Sequence, residues 1–113
     1  METTIAAIST AYGEAGIGIV RMSGPKSLDI VKALFKVKGS DLSCDFSPRH
    51  MYYGDIVDPK SGNVIDEVLC VYMKAPHTYT GEDVVEIQCH GGMLMMQRIL
   101  KLCIENGARI AEP

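Results

Sequence analysis

The 113-residue chain has no run of basic residues, no closely spaced pair of cysteines and no apolar stretch long enough to cross a bilayer. Each absence removes a class of function. With 11 Lys and Arg against 14 Asp and Glu, a net charge of -3, and the cations scattered, the chain is a poor self-sufficient nucleic-acid binder, because neutralising phosphates needs clustered positive charge. If RNA is a partner, other parts must hold it. Cys44, Cys70, Cys89 and Cys103 form no C-x-x-C pair, which argues against a zinc knuckle or redox couple and predicts buried thiols in a reducing compartment. No metal site is expected. The start, Met1-Glu2-Thr3-Thr4, lacks the basic and apolar regions of an export signal. The expectation is a soluble cytoplasmic protein with no membrane attachment.

Repeats, low-complexity tracts and linkers are missing too. At 47% hydrophobic residues the chain reads as one domain, residues 1–113, able to bury a core without staples. Its glycine cluster Gly13, Gly16 and Gly18 fits neither nucleotide motif. Counted from Gly13, Gly18-Ile19-Val20 stands where a P-loop needs Gly-Lys-Ser/Thr, and Gly16-x-Gly18-x-x-Arg21 lacks the last glycine of a dinucleotide fingerprint. The cluster predicts a tight turn and a strand whose backbone lets something approach closely.

What is present alternates between strand and helix patterns. Thr4 to Ile8 and Gly16 to Met22 are β-branched apolar runs and predict strands. Ser23-Gly24-Pro25 offers a cap and a first-turn proline for a helix from Pro25 to about Phe35, with Leu28, Val31, Leu34 and Phe35 at helical spacing. Residues 39–48 read as a loop. Arg49 to Val57 and Val64 to Lys74 predict a hairpin about the turn Asp58-Pro59-Lys60-Ser61-Gly62-Asn63. A loop from Ala75 to Gly81 leads to a strand from Val84 to His90, and Gly91-Gly92 opens a helix from about Met93 to Glu105, stopped by Asn106-Gly107. Ala108 to Ala111 predicts a last short strand. The order predicts an α+β domain, a mixed sheet with helices packed on one face.

Alternation along Val84 to His90 sends Val85, Ile87 and Cys89 one way and Val84, Glu86, Gln88 and His90 the other. The second set supports two readings. It is the solvated face of an edge strand, or it is a pocket wall in which Glu86 accepts paired hydrogen bonds from a planar heterocycle with adjacent N–H and NH₂ donors, such as a pterin or guanine edge. Arg21, on a strand face with Ile17 and Ile19, likewise reads either as a cation snorkelling to solvent or as a forked donor to a ligand's carboxylate or carbonyl. Cys89 and His90 point to opposite faces and cannot pair as nucleophile and base. His77 and His90 supply too few spaced donors for a metal, and His50 reads as a surface residue. Asp66-Glu67 predicts a solvent-facing or bulged pair. Leu94, Met95 and Met96 suit core or a subunit interface.

Several blocks of this sequence carry a resemblance. They are Ile5-Ala6-Ala7-Ile8 leading to Gly13-Glu14 and Gly18-Ile19-Val20-Arg21-Met22-Ser23-Gly24; Tyr53-Gly54-Asp55-Ile56-Val57-Asp58; Asp66-Glu67-Val68-Leu69 leading to Ala75-Pro76; Thr80-Gly81-Glu82-Asp83-Val84-Val85-Glu86 with His90-Gly91-Gly92; and Gly107 to Pro113. From Thr4 to Pro113 the chain resembles the N-terminal domain of the MnmE (TrmE) family of tRNA-modifying GTPases. Ala11-Tyr12 stands where the family commonly has Pro-Pro, and the family continues past Pro113 with Gly-Glu-Phe, so a fragment of a longer protein is expected. The resemblance implies the fold of tetrahydrofolate-binding aminomethyltransferase-type domains, pairing with a second copy, and a bound 5-formyl- or 5,10-methylene-tetrahydrofolate near the dimer interface. It implies that Arg21 and Glu86 hold that ligand, together with a lysine beyond this domain.

For the parent protein the resemblance implies GTP hydrolysis in a separate domain, with magnesium and potassium bound there, and modification of the wobble uridine of tRNA with the flavoprotein MnmG, the folate supplying a one-carbon unit. No P-loop or C-terminal cysteine motif of that family occurs in this chain. No catalytic residue is therefore expected here. Two alternatives stand beside this reading: a dimerisation module that binds no small molecule by itself, and an independent aminomethyltransferase of similar fold, which the short chain disfavours.

Overall fold

Period-two alternation of apolar residues organises the chain around one sheet, seen in a computed structural model that describes residues 3–9, 18–40, 44–76, 78, 81–90 and 92–111. The elements are β1 (Ile5–Ile8), β2 (Gly18–Ser23), α1 (Ser27–Leu34), β3 (Phe35–Val37), β4 (Met51–Val57), β5 (Val64–Met73), β6 (Val84–Cys89), α2 (Gly92–Glu105) and β7 (Arg109–Ile110). The strands join in the order β3-β4-β5-β6-β2-β1-β7. Every neighbouring pair is antiparallel except β1 with β7, which is parallel. The expected mixed α+β sheet is what forms.

Both helices cover the same side. Ala6, Val20, Met22, Val85, Ile87 and Cys89 project into one buried cluster with Ile30, Val31 and Leu34 of α1 and Met96, Ile99, Leu102 and Cys103 of α2. The approach of α2 is close: a Cβ on Gly18 would collide with the thioether of Met96. The close contact that the glycine at the start of β2 permits is thus helix packing. Gly13, Gly16 and Ile17 lie outside the described residues, as do Ala11, Tyr12, His77, Tyr79, Thr80, Gly91, Glu112 and Pro113.

Three expectations need correction. Helix α1 starts at Ser27, with Lys26 at its N-cap and no side-chain cap bond. Ser23 is not a cap; it ends β2 and is buried. Gly24 then turns with φ 137°, and a Cβ there would strike Thr4. The helix also ends sooner than expected, because Phe35 turns extended (φ -115°, ψ 136°) and begins β3. Phe35 is buried, but as a strand residue opposite Ile56 rather than on the helix.

The hairpin of β4 and β5 closes through Asp58 N–H donating to Asn63 O at 2.9 Å and Gly62 N–H to Asp58 O at 2.8 Å. Asp66 pairs with Ile56 while Val64 pairs with Val57, so the ladder shifts at Ile65. The bulge expected near Asp66 is present.

Candidate functional site

The face of the sheet turned away from both helices carries the polar candidates. Strand register brings Ala7, Arg21, Glu86, Val71 and Met51 opposite one another across β1, β2, β6, β5 and β4. The parallel row beside it holds Ile5, Ser23, Val84 and Met73. Arg21 and Glu86 are therefore direct cross-strand partners, and they form an ion pair: Nε of Arg21 donates to Glu86 Oε2 at 2.8 Å, and a second guanidinium nitrogen donates to the same oxygen. Sequence patterning left Arg21 either snorkelling or binding; the structure gives it a carboxylate partner 65 residues away in the chain.

Glu86 does not stand on an edge strand. Strand β6 lies between β5 and β2, bonded to both, so the solvated-edge reading of this face fails. The side chains remain reachable, with Arg21 42% and Glu86 17% exposed. A pair this open contributes about 0–1 kcal/mol, since water screens it. An incoming ligand can displace it at small cost.

Beside Arg21 the face sinks into a depression of about 370 Å³ lined by Ile5, Ala7, Ile8, Ser9, Arg21, Ser23 and Glu82. Its floor is apolar and one rim is charged, the arrangement that suits a flat heterocycle with polar edges. Glu82 reaches it from the loop ahead of β6, where Ser23 Oγ donates to Glu82 Oε2 at 2.8 Å.

That loop is fixed from several sides. Thr78 Oγ1 donates to Glu82 O at 2.7 Å, and Gly81 takes φ 78°. Asp83 accepts from Ala75 N–H through Oδ1 at 2.8 Å and from Gly24 N–H through its carbonyl at 2.9 Å. Burial, followed by the charge of Asp83, raises the phenol of Tyr72. The Gly81-Glu82-Asp83 segment thus divides its duties: Asp83 ties the loop to the sheet and Glu82 faces the depression.

Elsewhere the chemistry is quiet. Cys44, Cys70, Cys89 and Cys103 are all buried and free. Burial pushes the thiols of Cys89 and Cys103 up to about 12 and Cys70 well above its ordinary value. None is a thiolate nucleophile at neutral pH. Cys89 is buried while His90 is exposed, so they do not pair; His50 is exposed as well. Among the described residues no group of three or more His, Cys, Asp and Glu is placed to hold a metal ion. No described helix is long and apolar enough to cross a membrane.

Sequence reasoning missed a polar network at the other end of the same face. Lys38 Nζ donates to Asp55 at 3.2 Å and to Glu67 at 2.8 Å, and Tyr53 donates its hydroxyl to Glu67. Hydrogen bonds from Lys38 and then Tyr53 lower the Glu67 carboxyl, while Lys38 and Tyr53 are raised. A lysine just after β3, a tyrosine on β4 and a glutamate on β5 give no local signal. The network is exposed to solvent. Asp66, on the helix side, keeps Oδ2 buried without a hydrogen-bond partner.

The family model described as "GTP-binding protein TrmE N-terminus" matches residues 4–113. The chain is 53% identical over 113 residues to the tRNA modification GTPase MnmE of Alkaliphilus oremlandii, covering 100% of this chain and 24% of that protein. It is 56% identical over 112 residues to the protein of the same description from Alkaliphilus metalliredigens, covering 99% and 24%, and 51% identical over 113 residues to that from Carboxydothermus hydrogenoformans, covering 100% and 24%. The chain spans about a quarter of the length of these relatives.

Proposed function

The chain belongs to the family of TrmE N-termini, and from that premise we propose that it is the tetrahydrofolate-binding and dimerising part of a cytoplasmic GTPase that modifies the wobble uridine of tRNA. The observation that carries the ligand reading is the cross-strand pair of Arg21 and Glu86 beside an apolar-floored depression. The residue types fit. A carboxylate accepts two adjacent N–H donors of a pterin, and a guanidinium complements the ligand's carbonyl or carboxylate oxygens.

Arg21 and Glu86 would hold 5-formyl- or 5,10-methylene-tetrahydrofolate, which supplies the one-carbon unit when bound. The protein's own contribution is placement. Glu86 is anchored by a strand bonded on both sides, and Arg21 stands opposite it in register. Likeness to tetrahydrofolate-binding aminomethyltransferase-type domains belongs to the same proposal. GTP, magnesium and potassium are assigned to the parent protein outside residues 1–113, as are tRNA and the flavoprotein MnmG.

Dimerisation is supported by the apolar side chains that the helix-free face leaves in solvent, Ile5, Met51 and Tyr53, all more than 40% exposed. A dimer that binds no small molecule is the competing reading. Calorimetric titration with 5-formyltetrahydrofolate, paired with light scattering, separates the two. We expect a dimer that binds the folate, and at least a tenfold loss of affinity in Arg21→Ala and in Glu86→Ala, as about 1.5–3 kcal/mol per charged hydrogen bond requires. A dimer that ignores folate leaves only the interface reading. Wild-type affinity in both variants removes the two residues from the site.

A further inference from the structure

Arg21 and Glu86 alone leave the depression beside them without a carboxylate of its own. In the structure Oε2 of Glu86 is taken by Arg21, and the acid that lines the hollow is Glu82. Glu82 belongs to a loop and is exposed, which would ordinarily leave its side chain free to wander. Two constraints act on it. Its carboxylate accepts from the buried Ser23 hydroxyl at 2.8 Å, and Ser23 shares a strand face with Arg21. Its backbone is held by Thr78 through its own carbonyl and by the bonds of Asp83 to Gly24 and Ala75.

A reduced pterin offers more N–H groups, on its ring nitrogens and exocyclic amine, than one carboxylate can accept. We propose that Glu82, oriented by Ser23, is a further ligand carboxylate of this site, taking an N–H of the heterocycle that Glu86 does not, while Ile5 and Ala7 form the floor beneath the ring. The proposal rests on the folate reading and extends it. Glu82 touches the ligand. Ser23 is a positioning residue that acts through Glu82.

The test is titration of the intact protein with 5-formyltetrahydrofolate in wild type, Glu82→Gln, Ser23→Ala, the double variant and Glu86→Gln, each checked by its melting temperature. Losing a charge-assisted hydrogen bond corresponds to a roughly ten- to hundredfold weaker affinity in Glu82→Gln. Ser23→Ala is expected to lose several-fold, and the double variant to bind no more weakly than Glu82→Gln, because the serine works only through the acid. Wild-type affinity in Glu82→Gln, with Glu86→Gln impaired, overturns this inference and leaves the folate reading intact. Additive losses in the double variant overturn the role of Ser23. No heat from wild type overturns both readings.

Discussion

Adjacent acids in the loop before β6 differ in what they hold. Asp83 accepts one backbone N–H with its carboxylate and another with its carbonyl, bridging the loop at Ala75 to the end of β2 at Gly24. Removing the carboxylate leaves Ala75 N–H without its acceptor in a partly buried position. Asp83→Ala is expected to lose about 1–3 kcal/mol in urea unfolding. Glu82→Gln keeps an oxygen that can accept from the Ser23 hydroxyl and should leave the unfolding midpoint near wild type. An unchanged midpoint in Asp83→Ala would deny it the structural duty.

Elements meet tightly where α2 crosses β2. The missing side chain at Gly18 makes room for Met96, and Ile99, Leu102 and Cys103 continue the buried stripe. Gly18→Ala forces the flexible Met96 aside and should cost about 1–3 kcal/mol by overpacking. Shortening the partner in Gly18→Ala/Met96→Ala should relieve the strain, giving a double-variant loss smaller than the sum of the two single losses; a plain sum would mean that the two do not press on each other. Sequence pattern revealed most of this level. The 3.6-residue spacing of Met95, Ile99 and Leu102 and the alternation of Val84 to Cys89 are local, and both elements formed. Strand β3 was hidden because Phe35 continues the helical spacing of Val31 and Leu34, and only its partner Ile56, far along the chain, makes it a strand. The site was legible in part for the same reason. Glu86 and Arg21 could each be singled out from their own strands, but their pairing depends on register between β2 and β6, and Ser23 looked like a cap until its strand had a neighbour.

At the scale of the whole molecule, four free thiols are buried. Those of Cys89 and Cys103 stand at about 12 when folded, against an ordinary value of 9.0. The folded state therefore keeps protons that the unfolded chain releases. Their contribution to stability is full below about pH 9 and is lost as pH rises toward about 12. Melting temperature should fall across that window, and less steeply in Cys103→Ala even though its baseline is lower. A slope identical to wild type would mean that Cys103 has no part in the decline.

The central place of β6 has a further consequence for recognition. A chain segment bonded on both flanks has surrendered its backbone freedom during folding, so at the proposed folate site the carboxylate of Glu86 would meet a ligand without a fresh loss of backbone entropy. The expense of ordering would fall instead on the side chains of Arg21 and Glu86, which would have to exchange one another for the newcomer. Selectivity would then lie in how well the newcomer replaces the bonds that the two residues already share.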